Sequence, residues 1–195
     1  IAYFKTHYYG GVKKYQWTTI PLALHGVIFN KNGEKIEVSI GENDDEPVFT
    51  ISELLIHLSK KQLQKPASEV IEGEQLKVIV GSIPLADEDD NPVKQNILKI
   101  LNEKYGIEEE DFITAEFEVV PAIKARNAGL DNSMIIGHGQ DDRVCSYSAL
   151  NAILSLKNPA KTAVALFVDK EEIGSYGATA MTSQFFENAV LEILN

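Results

Sequence analysis

Ala163-Val164-Ala165-Leu166-Phe167-Val168 is an unbroken apolar run that stops at Asp169-Lys170-Glu171-Glu172. Six apolar residues closed by charge fit a strand buried on both faces, as in a parallel sheet. On either side, Val144 to Leu156 and Ser183 to Leu194 repeat apolar residues at helical spacing. A helix, a buried strand and a helix predict a slice of a three-layer α/β/α domain, so the fold class is α/β.

Upstream the texture is different. Ile1 to about Ile40 is aromatic and β-branched, broken by Gly10-Gly11 and by Asn30-Lys31-Asn32-Gly33. Asn32-Gly33 is a two-residue hairpin signal, so paired strands are expected there. An acidic loop from Gly41 to Pro47 leads to a short strand at Val48 to Phe49. Thr50 and Glu53 have the spacing of a capping box, and Ile51, Leu54, Leu55 and Leu58 share a helical face, which predicts a helix to about Leu63. Leu76 to Ile83 reads as a strand closed by Pro84. Asn91-Pro92 suits an N-cap and first helical position, and the helix ends at Tyr105-Gly106. Ala115, Phe117 and Val119 alternate with glutamates up to Pro121, the pattern of a half-buried strand. The change of texture near Val120 to Arg126 divides the chain into residues 1–120, β-rich, and 121–195.

Composition narrows the function. With 18 Lys+Arg against 29 Asp+Glu the net charge is -11, which repels phosphate backbones and anionic membranes. Neither nucleic acid nor membrane is an expected partner. No apolar run approaches the ~18 residues of a membrane span, and the first residues carry no leader pattern, so a cytoplasmic location is expected. A single cysteine, Cys145, excludes an internal disulfide or a thiolate cluster, so any metal would be held by carboxylate and imidazole. The start at Ile1, directly in a strand-like segment, is expected to be an internal point of a longer protein.

Two acidic clusters could carry chemistry. Asp141-Asp142 lies between the turn Gly137-His138-Gly139 and a helix start, and Asp169 to Glu172 follows the apolar run. Carboxylates at strand ends face the usual ligand position of open α/β sheets. A pair of divalent ions would relieve their mutual repulsion, one glutamate coordinating and its neighbour accepting a proton. From spacing alone, solvated acidic loop ends are the commoner case.

Three stretches tip that balance: Thr6-His7-Tyr8-Tyr9-Gly10-Gly11 with Lys14-Tyr15-Gln16-Trp17, Gly139 to Cys145, and Asp169 to Ser175. Together with Gly41 to Pro47, Glu69 to Glu74 and Phe185-Phe186-Glu187-Asn188, they resemble the M18 family of metallo-aminopeptidases, in the same order and over essentially the whole chain. The resemblance implies removal of N-terminal residues from peptides. It makes Asp141 the carboxylate shared by two zinc ions, Glu172 a ligand to one, and Glu171 the general base. It makes His57 a substrate-site residue reaching in from a neighbouring subunit, although a surface helix histidine is the commoner case by sequence. Manganese or cobalt could replace zinc. It further implies that residues 1–120 are an inserted oligomerisation domain, residues 121–195 part of a zinc-peptidase domain, and the intact protein a homo-oligomer, commonly a dodecamer.

The resemblance also implies ligands that this chain does not supply: a His-x-Asp segment before Ile1, and an aspartate and a histidine beyond Asn195. None of His7, His25, His57 and His138 is followed by aspartate two positions later. A non-catalytic module that self-associates through residues 1–120 is therefore the competing class. Ile123, Asn127 and Ala180 depart from expected glycine, aspartate and glycine, and His138 stands where relatives tend to carry an aromatic residue. Other motifs fail: Asp87 to Asn91 begins like a calcium loop, but Pro92 occupies the glycine position. Gly137 to Asp142 lacks the third glycine of a dinucleotide loop. Cys145 is read as a small buried residue.

Overall fold

Leu22, Ala23 and Leu24 are consecutive and all buried, which demands neighbours on both faces of one strand. The computed structural model describes residues 1–178 and 180–194, and it supplies those neighbours. Strands β1 (Ala2–Lys5), β2 (Leu22–Phe29), β3 (Lys35–Ile40), β4 (Thr50–Ile51), β5 (Lys77–Gly81) and β6 (Glu116–Pro121) form two antiparallel sheets, ordered β1-β5-β4 and β3-β2-β6. In the second sheet Leu24 stands opposite Ile40 on one side and Val119 on the other. A reciprocal main-chain pair between Leu22 and Phe49, at 2.9 and 2.8 Å, ties one sheet to the other.

Two apolar cores result. Leu22, Ile51, Ile71, Leu76 and Val78 form the first, and Leu24, Ile28, Val38, Ile40 and Ile107 the second; Phe4, Phe49 and Val119 pack against both. Helix α1 (Pro92–Tyr105) lies against β5 and β1. It ends where Gly106 turns left-handed and its N–H reaches back to the Asn102 carbonyl, the usual glycine stop. A cavity of about 390 Å³ beside this helix is lined mainly by apolar side chains, among them Phe49, Ile79, Ile97 and Leu101.

The chain divides into two compact units, Ile1–Tyr8 with Lys13–Lys124, and Tyr9–Val12 with the chain from Ala125 onward. The second holds a short hairpin of β7 (Arg126–Ala128) and β8 (Met134–Ile136), then α2 (Gln140–Ser155) and α3 (Gln184–Leu194). Among the described residues of this unit, only Ala180 is buried.

Several expectations are corrected. Ala163 to Val168 is not a buried strand: the run forms no strand, and Val164, Leu166, Phe167 and Val168 are exposed. A buried strand needs a ladder on its flanks, and no described residue pairs with this run. The helix expected to Leu63 is also missing, replaced by turns and a short 3-10 segment at Gln62–Gln64. The Glu53 carboxylate, instead of completing a capping box, accepts the Leu54 N–H at 2.7 Å and the Gln62 amide at 2.9 Å. The short strand sits at Thr50–Ile51, with Phe49 in the isolated bridge. The Asn32-Gly33 hairpin exists, but the residues between the strands are Asn30 to Glu34. The Asn30 carboxamide oxygen accepts the Asn32 and Glu34 N–H groups at 3.0 Å each, an Asx-type closure that makes the longer loop stable. Asn91 and Pro92 do take the N-cap and first positions of α1 as expected, but Asn91 is left-handed and makes no side-chain cap. Cys145 is exposed on α2.

Candidate functional site

Glu171 and Glu172 lie on a single 3-10 turn, Glu171–Ile173, in the second unit. The turn is bounded by left-handed residues, Lys170 at φ 67° before it and Gly174 at φ 92° after it. Its closure is local. The Asp169 carboxylate accepts the Lys170 N–H at 2.8 Å, the Lys170 carbonyl accepts the Ser175 N–H at 2.8 Å, and the Glu171 carbonyl accepts the Gly174 N–H at 3.0 Å. Both glutamates are exposed while Ile173 is half-buried, so the apolar side chain anchors the turn and leaves the carboxylates outward.

Asp141 occupies the other candidate loop of the same unit. Its backbone, φ -87° and ψ 115°, is not helical although it lies at the start of α2, and the Asp141–Asp142 peptide is cis. The loop is braced from both sides. Arg143 donates from Nη1 to the His138 carbonyl at 3.0 Å, and the Gln140 amide donates to the Ile135 carbonyl at 3.2 Å. Arg143 was assigned no role by sequence reasoning; its place two residues after Asp141 is the only sign of this bracing. In the preceding hairpin, the Ser133 hydroxyl and then its N–H hold the Asp131 carboxyl below the usual range, which is turn chemistry and not a site.

His57 belongs to the first unit. It is exposed in a turn, flanked by Leu54, Leu55, Ile56 and Leu58, all exposed as well. The turn is closed by the Leu58 N–H to the Leu55 carbonyl at 2.8 Å and by the Ser59 hydroxyl to the Ile56 carbonyl at 3.0 Å.

Carboxylate oxygens suit zinc, and Asp141, Glu171 and Glu172 are the right donor type in one unit. The set is short, however: among the described residues no three His, Cys, Asp or Glu side chains gather closely enough to hold an ion, whereas catalytic zinc is commonly held by three protein ligands. The chemistry of these donors therefore fits part of a zinc site.

Comparison with known proteins gives the family. The family model described as aminopeptidase I zinc metalloprotease (M18) matches residues 1–195. A probable M18 family aminopeptidase 1 from Clostridium acetobutylicum is 57% identical over 196 residues, covering 100% of this chain and 42% of that protein. The corresponding Thermotoga maritima protein is 53% identical over 194 residues, again covering 42% of its length. The crystal structure of the Thermotoga maritima M18 aminopeptidase superposes with a TM-score of 0.95 at 53% identity, covering 100% of this chain and 42% of that one. Aminopeptidase I from Clostridium acetobutylicum gives 0.90 at 56%, covering 100% and 43%. The chain therefore belongs to the M18 family of zinc metalloproteases, and it spans about two fifths of the length of these relatives. Among its described residues no helix is long and apolar enough to cross a membrane.

Proposed function

We propose that the whole protein is a two-metal aminopeptidase acting on the free N-terminus of peptides, and that this chain carries its general base and two of its metal-holding carboxylates. The observation that carries the reading is the Glu171–Ile173 turn, which presents two adjacent carboxylates outward from an apolar anchor in a chain of an aminopeptidase family. A zinc pair bound there would polarise the scissile carbonyl and acidify a shared water. Asp141 would hold both ions and Glu172 one. Glu171, next to Glu172 but not committed to an ion, would take the proton of the water and pass it to the departing amine. Glu171 is exposed, as a group that meets water and substrate must be.

The domain roles follow the same reading. Residues 1–120 serve as an inserted oligomerisation domain and residues 121–195 as part of a three-layer peptidase domain. The exposed apolar turn that carries His57 suits a subunit contact, from which His57 would reach a neighbour's substrate in a homo-oligomer, a dodecamer, located in the cytoplasm.

A second reading is favoured by one observation, the lack of any three-residue donor group among the described residues: the chain by itself is a non-catalytic, self-associating module. Zinc titration separates the two. The whole protein should take up two ions tightly and the 195-residue chain should not. Glu171→Gln in the whole protein should lower kcat by at least about 10³-fold, the upper part of the range for general-base catalysis, with zinc content unchanged. Full activity in that variant would exclude Glu171 as the base.

A further inference from the structure

Gly10 and Gly11 are adjacent in sequence and alike in chemistry, yet only one of them is filled against. A Cβ on Gly11 would meet nothing within 4 Å, whereas a Cβ on Gly10 would stand 2.9 Å from Cγ2 of Ile173, closer than such atoms pack. Gly10 also has φ +72°, a left-handed conformation that costs an ordinary side chain on the order of 1 kcal/mol or more. Both residues of this contact belong to the second unit.

Ile173 is the half-buried member of a turn whose two glutamates are exposed. A 3-10 turn of three residues has few main-chain bonds with which to hold its direction, so its orientation depends on what its one anchored side chain rests on. At the far end of the same loop a second tie exists: the Ser175 carbonyl accepts the Thr182 N–H at 3.3 Å and its hydroxyl at 2.6 Å. The loop is thus pinned after the glutamates by Thr182 and beneath them by the close approach of Ile173 to Gly10.

We propose that Gly10 is a positioning residue: the space left by its missing side chain is the seat of Ile173, and that seat sets the direction in which Glu171 and Glu172 leave their turn. The proposal rests on the reading of those glutamates as base and metal-holding group. It gives Gly10 a structural part in a turn more than 150 residues further along the chain. A Cβ at Gly10 would lift Ile173 and displace both carboxylates together, whereas one at Gly11 would leave them in place.

The test uses the whole protein, with zinc affinity by competition titration, kcat and KM on an N-terminally free peptide, and the thermal midpoint measured side by side. Asparagine tolerates the left-handed region, so Gly10→Asn introduces the Cβ with little conformational strain, and Gly11→Asn is the matched control. Gly10→Asn should weaken zinc affinity and lower kcat, each by about tenfold or more, the range for outer-shell groups of metal sites, with KM within about twofold. Gly11→Asn should change neither. Ile173→Leu, which has no Cγ2, should return most of both losses when combined with Gly10→Asn.

The seat is refuted if Gly10→Asn folds and keeps wild-type zinc affinity and kcat, if Gly11→Asn loses as much, or if Ile173→Leu returns nothing. Should Gly10→Asn fail to fold, Ile173→Ala opens the same contact from the other side. It must then show the same joint loss, and wild-type values would overturn the proposal. A wild-type protein that neither binds zinc nor hydrolyses peptide removes the functional reading along with the seat. An active, zinc-loaded wild type indifferent to Gly10→Asn removes the seat alone.

Discussion

Leu22 and Leu154 are the same residue in opposite circumstances. Leu22, in the first unit, is fully buried at 0% exposure, inside a strand with a partner on either side; Leu154, on a helix of the second unit, is 72% exposed. The contrast extends through both units. The first encloses two apolar cores of aliphatic side chains contributed by strands of two sheets and the loops between them. The second leaves Ile135, Ile136, Val164, Phe167, Phe185 and Ile193 at the surface. Burial of apolar area is the main favourable contribution to folding, so one unit is built to stand as it is, whereas the other presents faces of the kind that cover or are covered by a further layer. Secondary structure forms in both units, but the enclosed apolar cores belong to the first, while the second buries only Ala180 among its described residues.

The sharpest way to break this comparison is one substitution made twice. In the 195-residue chain, Leu22→Ala should cost about 2–5 kcal/mol of unfolding free energy, read from urea denaturation of the first unit. Leu154→Ala should stay within about 0.5 kcal/mol. Equal costs would show that the second unit has a core after all. Repeating Leu154→Ala in the whole protein sharpens the point: a rise toward about 2 kcal/mol would mean that a covering layer is present there.

A middle-sized effect is expected in hydrogen exchange. Amides of β2 and β6 should open only with the whole first unit, whereas those of α2 and α3 should exchange orders of magnitude faster, through local opening. Mass spectrometry of exchanged peptides checks this, and uniform protection along the chain would count against it.

The smallest effect concerns pH and the first unit alone. The Glu46 carboxylate accepts the N–H groups of Asn43, Gly41 and Glu42 at 3.1, 3.0 and 3.1 Å, and these bonds, that of Asn43 foremost, hold its pKa below the ordinary value. A carboxyl lowered in the folded state stabilises fully above its unfolded pKa of about 4.3 and loses that contribution as pH falls through the folded value. The urea midpoint should therefore drop slightly below about pH 4.3, and Glu46→Gln should flatten that part of the profile. An unchanged slope in the variant would remove Glu46 as its source.

What could be seen in the sequence follows from which contacts decide each element. Glu116, Phe117, Glu118 and Val119 alternate between exposed and half-buried as their polarity does, because a strand with one wet face writes its period into its own residues. Gly106 stops α1 for an equally local reason, its left-handed conformation. Leu54, Leu55 and Leu58 misled because helical spacing is only half of a helix. A short helix is marginal without a surface to bury its face against, and here these leucines are exposed while Glu53 and Gln62 bond elsewhere. Ala163 to Val168 misled for the same reason, since a strand is decided by its neighbours. At the candidate site, the turn that bears Glu171 and Glu172 was legible as a charged stop after an apolar run. The approach of Ile173 to Gly10 was not, because nothing in either stretch records a partner so far along the chain.

Strand β2 is common property. Leu22 is built into one core, Leu24 and Ile28 into the other, and the Leu22–Phe49 main-chain pair splices the sheets at the same place. Neither core can loosen without drawing on residues that the other holds, so the first unit should melt as a single event despite its two sheets. Insertions would be borne by the loops at 30–34 and 86–91, and an added residue within β2 would put both halves out of step at once.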